Sequence, residues 1–269
     1  MNDRMQYIGI IPARYASTRF PGKPLADLGG KTVIQRVYEQ ASQVLNIVIV
    51  ATDDIRIYDC VIAFGGRAMM TSTQHTCGTD RVYEAYCKFR EQSTCQLPDN
   101  EFVVINIQGD EPFIQPQQIQ ALMDCFPTDI ATLVHPFSNT DSWNDLQNPN
   151  YVKVAIAKQS AATSSTTIGR ALYFSRSVIP YMRGVEPEHW LQQGQFYRHI
   201  GMYAYRADIL QMITKLQPSP LEQLESLEQL RWLESGLTIH LALTNQHSIG
   251  IDTPEDLQKA VRYLSTLNS

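Results

Sequence analysis

Apolar positions follow one rhythm in the first half of the chain and another in the second. Early on, unbroken β-branched runs such as "YIGII" (7–11) and "NIVIVATDD" (46–54) alternate with segments whose apolar residues recur every three or four positions. Continuous runs of this kind predict strands buried on both faces, as in a parallel sheet flanked by helices. Between them, "KTVIQRVYEQASQV" (31–44) carries Val33, Val37 and Ala41 at four-residue spacing, which predicts an amphipathic helix. A second helix is predicted at about 54–64, stopped by Gly65-Gly66, with "RAMMT" following as a short strand. "EFVVINIQGDEP" (101–112) predicts a strand running into an acidic loop, and Pro116 opens a helix at its favoured first position. The alternation predicts an α/β fold built on a doubly wound, mostly parallel sheet.

Further on, "ATLVHPF", "VKVAIA", "ALYFS" and "HIGMYAY" are short strand candidates with no regular helix between each pair. They predict a smaller, mostly antiparallel layer added to the main sheet. The chain therefore reads as one domain, 1–269, with a smaller inserted subdomain at about 131–215. The Ser/Thr-rich segment 158–169 and "RGVEPEHWLQQGQ" (183–195) are expected to be mobile loops. In "SPLEQLESLEQLRWLESG" (219–236) leucines repeat every three residues, so on one helix they spiral around it. Such a helix is expected to be covered on more than one side, by the chain itself or by a partner subunit. Glu228 and Arg231 fall within its apolar sectors, where a charge must pair internally or bind something. In "DTPEDLQKAVRYL", Thr253 caps, Pro254 takes the first turn, and Glu255 and Asp256 favour the positive end of a last helix.

Composition narrows the function. The net charge is −5, which argues against a nucleic-acid surface or a basic membrane-docking face. The N-terminus shows no long apolar core with a small-residue cleavage site, and no apolar stretch is long enough for a membrane span, so neither feature is expected. Five scattered cysteines without C-x-x-C spacing, and six histidines without an H-x-x-x-H pattern, predict neither a disulfide framework nor a zinc site. Reduced thiols in a cytoplasm are the expectation.

Against that acidic background, "IIPARYASTRFPGKPL" (10–25) gathers Arg14, Arg19 and Lys23 directly behind a strand. Open parallel sheets bind ligands at the carboxyl ends of their strands, so this segment is either an anion-binding loop or a solvated surface loop. It is not a Walker A loop, which needs Gly at 17 and Ser or Thr after Lys23. No G-x-G-x-x-G follows a strand. "QGDEP" (108–112) brings Asp110 and Glu111 to the same kind of strand end, either as oxygen ligands suited to Mg²⁺ or as a simple turn. Asp252 offers a second carboxylate or merely starts a helix. His199 and Tyr203 are expected on one strand face with Gly201, as structural residues or ligand contacts. Arg176 is a surface residue or a contact, and Asp53 and Asp54 end a strand and begin a helix.

In chain order, "IIPARYASTRFPGKPL", "VATDD", "GTDR", "NIQGDEPFI", "ALYFSRSVIP", "RHIGMYAY", "SPLEQLESLEQLR" and "GIDTPEDL" resemble the blocks of the 3-deoxy-manno-octulosonate (Kdo) cytidylyltransferases. The resemblance runs from about residue 7 to 264. It implies a nucleotidyltransferase, GT-A-like sheet with a sugar-binding and dimerisation layer, and a cytoplasmic homodimer. The implied reaction is CTP plus Kdo giving CMP-Kdo and pyrophosphate, for lipopolysaccharide synthesis, with Mg²⁺ as cofactor. Arg14, Arg19 and Lys23 would hold the triphosphate, while Cys77, Gly78 and Arg81 of "HTCGTDR" (75–81) would lie near the cytosine. Asp110 and Asp252 would carry Mg²⁺, with Gln108 beside them touching the sugar. Arg176, His199, Tyr203, Glu228 and Arg231 match positions that hold the sugar acid, either arginine being a fitting carboxylate partner. Arg19, Lys23 and Asp110 are the implied catalytic groups. Two departures stand out: Cys77 replaces the serine common in relatives, and segment 158–169 is longer than usual. A relative acting on the 8-amino-3,8-dideoxy sugar tends to carry Gln in place of Glu111. A nucleotide-sugar glycosyltransferase would bring an Asp-x-Asp triplet, which is missing. A non-catalytic nucleotide-binding regulator would be expected to have lost Lys23, Asp110 or Asp252.

Overall fold

The apolar runs become strands in a computed structural model that describes residues 5–75, 77–138, 140–158, 167–246 and 249–267. The chain divides into two compact units, one of residues 3–120 with 247–269 and one of residues 121–246. The first holds four parallel strands, β1 (Gln6–Ala13), β2 (Val48–Thr52), β3 (Ala68–Met70) and β4 (Phe102–Asn106), in the order β3-β2-β1-β4. Every residue of β2 and β4 is buried, which is why these strands read as unbroken apolar runs.

Helices α1 (Val33–Ala41), α2 (Ile55–Ala63) and α3 (Gly78–Gln92) make the connections, and α4 (Pro116–Met123) follows β4. Thr32 caps α1 by accepting from Gln35 N, and the helix buries Val33, Ile34, Val37 and Ala41. Asp54 caps α2, and Gly65 at φ 83 ends the chain's helical path. The strand order has a consequence for function. The chain winds outward from β1 to β3 and then crosses to β4 on the other side of β1, which makes the carboxyl ends of β1 and β4 a topological switch point.

The second unit holds β5 (Ile130–Pro136), α5 (Trp143–Gln147), β6 (Lys153–Lys158), β7 (Thr167–Ser175), α6 (Trp190–Gln193), β8 (Tyr197–Arg206), α7 (Ala207–Ile213), α8 (Pro220–Glu225), α9 (Gln229–Glu234) and β9 (Ile239–Leu243). Its strand order is β8-β5-β9-β7-β6, antiparallel except for β5 with β9. The strands curl until β6 meets β8 again, with Lys153 opposite Arg198. β9 was not marked as a strand from its sequence. Its pairing with β5 and β7 carries this unit past the 131–215 limits read from the strand candidates.

Two local expectations need correction. The leucine-rich segment is two short helices, not one: Ser226 adopts the left-handed conformation at φ 52 and breaks the run. The three-residue leucine spacing therefore never has to fit a single helical face. Leu224 is 82% exposed, whereas Leu227 and Leu230 are buried. Segment 183–195, expected to be mobile, is anchored by Trp190. That ring is buried in a cluster with Leu146 and Phe196, and its Nε1 donates to Val185 O at 2.8 Å. The other expected loop, 158–169, falls largely on 159–166, outside the described residues. The last helix, α10 (Pro254–Leu267), returns to the first unit. Among the described residues no helix is long and apolar enough to cross a membrane. All five cysteines are free thiols.

Candidate active site

A cleft of about 570 Å³ opens in the first unit at the carboxyl ends of β1 and β4. The loop after β1 lines it with Arg14, Ser17, Thr18, Arg19 and Lys23; the loop after β4 lines it with Gln108, Gly109 and Asp110; Gly78 and Asp252 complete it. The basic loop is folded back on itself. Gly22 N donates to Tyr15 O at 2.9 Å, and Gly22 takes φ 72, a conformation that a residue with a Cβ adopts at a cost. The Arg56 guanidinium lies 3.3 Å from the Tyr15 ring centroid and packs the loop from outside. Gly109 has a different reason to be glycine: a Cβ there would stand 2.8 Å from the Pro12 carbonyl oxygen. Only a bare Cα lets the acidic loop come that close to the end of β1.

Two carboxylates and two cations meet in this cleft. Lys23 Nζ donates to Asp110 Oδ2 at 2.7 Å and to Asp252 Oδ1 at 3.3 Å, and Arg19 Nη2 lies 3.0 Å from the same Asp252 oxygen. Lys23 is 12% exposed and Arg19 64%, so the lysine is the fixed member and the arginine the free one. Asp252 is placed by the start of α10. Thr253 Oγ1 accepts from Asp256 N, while the Asp256 carboxylate accepts from Thr253 N and its hydroxyl, a reciprocal cap. Ile251 N donates to Asp110 O at 2.9 Å, tying the two carboxylate-bearing segments together. Ile251 also sits in a core cluster with Leu28, Val33, Phe113 and Ala260.

Helix α3 begins at the cleft with Gly78, and Cys77 caps it, its Sγ accepting from Asp80 N at 3.4 Å. Its amino end adds partial positive charge to an already cationic wall. Arg81, one turn on, does not line the cleft. It is fully buried, with Nη1 donating to Thr71 Oγ1 at 2.5 Å and Nη2 to Asp53 Oδ2 at 2.6 Å. Behind the same wall Glu84 accepts from Ser72 N, His75 and Lys88. Burial pushes its pKa up, but these three donors outweigh burial and hold it at about 2.

The remaining sequence-predicted residues lie in the second unit, apart from Gln108. His199 and Tyr203 come together with ring centroids 5.3 Å apart, although four residues along a regular strand span about 13 Å. A bulge opposite Thr132 and Leu133 closes that gap. The His199 ring packs edge-on against Phe174, and burial pushes its pKa down to about 3, so it is neutral near pH 7. His199 Nε2 lies 3.1 Å from Thr132 Oγ1, which also lies 2.8 Å from the Met202 carbonyl and 3.2 Å from the Ile200 carbonyl. Burial and the Glu228 carboxylate raise the Tyr203 pKa.

Arg231 donates through Nη2 to Glu222 Oε1 at 2.7 Å, while Glu228, the expected helical neighbour, is 3.8 Å away. Arg231 Nη1 donates to Leu216 O at 3.1 Å, and its Nε is buried without a hydrogen-bond partner. The Arg176 guanidinium donates to three backbone carbonyls, those of Glu225, Pro149 and Ser226. It holds open the break between α8 and α9. Glu222 and Thr132 were not singled out from the sequence. Glu222 had a readable signal, since Ser219 and Glu222 form a capping box at the start of α8; Thr132 had none. Lys153 was missed as well. It is fully buried, donates to Asn148 O at 3.0 Å, and burial lowers its pKa to about 8 against the pull of Glu225.

Residues 8–239 match the model of the family described as Cytidylyltransferase. The 3-deoxy-manno-octulosonate cytidylyltransferase of Parabacteroides distasonis is 56% identical over 97% of this chain and 99% of its own length. That of Thermodesulfovibrio yellowstonii is 46% identical over 97% of this chain and 99% of its own. Among solved structures, CMP:2-keto-3-deoxy-manno-octonic acid synthetase complexed with CTP superposes with TM-score 0.82 at 38% identity, covering 97% of this chain and 99% of that one. A cytidylyltransferase from Leptospira borgpetersenii, at 14% identity and TM-score 0.58, shares the fold.

Proposed function

The chain belongs to the cytidylyltransferase family, and within it to the Kdo enzymes; on that premise we propose how its residues transfer CMP from CTP to Kdo with release of pyrophosphate. The observation that carries the reading is the cleft at the β1–β4 switch point, where Arg14, Arg19 and Lys23 face Asp110 and Asp252. A triphosphate takes the three cations and the amino end of α3. The anomeric hydroxyl of the sugar attacks the α-phosphorus in line, and its oxygen forms the new bond as the bond to pyrophosphate breaks. Arg19 and Lys23 stabilise the charge that moves onto the departing pyrophosphate.

The residues present fit Mg²⁺. Asp110 and Asp252 point oxygens at one position that already accommodates a positive charge, and no third His, Cys, Asp or Glu joins them among the described residues. Two carboxylates completed by substrate phosphates is the usual Mg²⁺ arrangement. The ion would supply Lewis-acid stabilisation of the phosphate and acidify the attacking hydroxyl.

In this proposal His199, Tyr203, Glu228 and Arg231 of the second unit hold the sugar acid. His199 is too weak a base near pH 7 to take the proton of a sugar hydroxyl. Both arginines are already bonded within the chain, Arg231 to the Glu222 carboxylate and the Leu216 carbonyl and Arg176 to three backbone carbonyls, and either is a fitting partner for the sugar carboxylate. Cys77 and Gly78 flank the base, and Arg81 supports that wall from behind. A cytoplasmic setting agrees with five free thiols, and a homodimer agrees with the large apolar side chains of Leu172 and Leu224 on the second unit's surface.

Incubation with CTP, Kdo and Mg²⁺ should yield a product with the mass of CMP-Kdo. The Asp110→Asn variant should yield none; turnover near normal at saturating Mg²⁺ would remove Asp110 from the cation site.

A further inference from the structure

The cation nearest to the two carboxylates is the protein's own. Lys23 Nζ touches both Asp110 and Asp252, and Arg19 shares one oxygen with it. We infer that Lys23 makes uptake of the divalent cation conditional on nucleotide: its ammonium and the metal compete for Asp110 and Asp252, and the triphosphate decides the contest by drawing Lys23 and Arg19 onto its own oxygens. This rests on the proposed reading of the two aspartates as the cation site.

Three observations carry it. The four groups cancel, two carboxylates against a lysine and an arginine, and Arg14 on the same cleft wall adds a further positive charge. The free cleft therefore attracts an anion and offers a bare dication no net field. Binding of a triphosphate reverses the sign, and the cleft then calls for a cation.

Second, among the described residues no third carboxylate, imidazole or thiol groups with the pair, so there the lysine faces the two carboxylates alone. Third, the lysine is held where it competes. Its backbone sits in a short turn, Lys23–Leu25, fixed by Gly22 and by the Lys23 N–H to Phe20 carbonyl bond, and its side chain is only 12% exposed. In this proposal rotation about the lysine's side-chain bonds carries Nζ from carboxylate to phosphate. The coupling is reciprocal: nucleotide raises metal affinity by the factor by which metal raises nucleotide affinity.

The test is Mn²⁺ binding to nucleotide-free protein, followed by the electron paramagnetic resonance signal of the free ion. Lys23→Met should bind Mn²⁺ at least roughly tenfold more tightly than wild type, within the range typical of coupling between sites. Lys23→Met combined with Asp110→Asn should lose that gain, which locates the ion. Thermal melting of each variant establishes that it is folded. A second measurement needs no variant: Mn²⁺ at a filling concentration should raise the rate at which an amine-acylating reagent labels Lys23 in the wild type, read by mass spectrometry. Equal Mn²⁺ affinity in wild type and Lys23→Met, no measurable binding by either, or Lys23 labelling indifferent to Mn²⁺ would each overturn the inference. None of these outcomes touches the cytidylyltransferase reading, which fails separately if the wild type makes no CMP-Kdo.

Discussion

Replacing Asp53 by Asn removes the one carboxylate bonded to the Arg81 guanidinium among the described residues. Arg81 is fully buried, its Nη1 is satisfied by a neutral hydroxyl and its Nε has no partner, so Asp53 at 2.6 Å is what compensates the charge. Removing one member of a buried pair strands the other, at about 3–5 kcal/mol. For a chain of this size each kcal/mol shifts the melting temperature by about 2–4 °C, so Asp53→Asn should melt roughly 6–20 °C below the wild type. Thermal unfolding followed by circular dichroism, with urea titration alongside, reads the effect. The double change Asp53→Leu with Arg81→Met should recover most of the loss, because a well-packed apolar pair replaces an ion pair without stranding a charge. A shift under about 2 °C for Asp53→Asn would put the pair in the class of exposed ion pairs, worth about 0–1 kcal/mol, and refute the argument. It would also undercut the placement of Arg81 as the residue that anchors the first turn of α3 behind the cleft wall.

Other consequences are equally direct. Arg19→Ala should lower kcat for CMP-Kdo formation more than it weakens CTP binding, since the charge it meets grows in the transition state; an unchanged kcat in steady-state assays would contradict that role. Glu228→Gln should raise the KM for Kdo and leave that for CTP alone, and a selective loss of CTP affinity would refute its placement. Lys153 gives a pH signature. Its folded pKa of about 8 lies below the ordinary 10.5, so its contribution to stability is fully present above pH 10.5 and is lost as pH falls through 8. Between those limits the wild type should gain up to about 3 kcal/mol over Lys153→Met in urea unfolding; parallel pH curves would contradict the shift.

The first half of the chain was legible because its signals are local. A run of β-branched residues, a threonine or aspartate cap, and a glycine stop each specify an element without help from distant residues, and β1, β2, β4, α1 and α2 emerged where predicted. The same locality put the basic and acidic loops at the ends of two strands. That those strands are neighbours follows from the crossover, which no local pattern encodes.

The second unit was less legible for physical reasons that differ from residue to residue. The break at Ser226 is a backbone choice, stabilised by Arg176 bonds to carbonyls that a sequence pattern does not display. Thr132 finds His199 only through a strand register with a bulge in it. Trp190 turns a polar, glycine-flanked segment into an anchored one because a single large ring is enough to build a cluster. Gly109 looked like part of an acidic turn; its reason is the Pro12 carbonyl on another strand.

The measurement that bears most directly on the central claim is pyrophosphate release from CTP and Mg²⁺ with Kdo, with its 8-amino analogue, with N-acetylneuraminate and with no sugar. The account predicts rapid release with Kdo and none without a sugar. A folded protein that binds CTP and releases no pyrophosphate with any of them would contradict it.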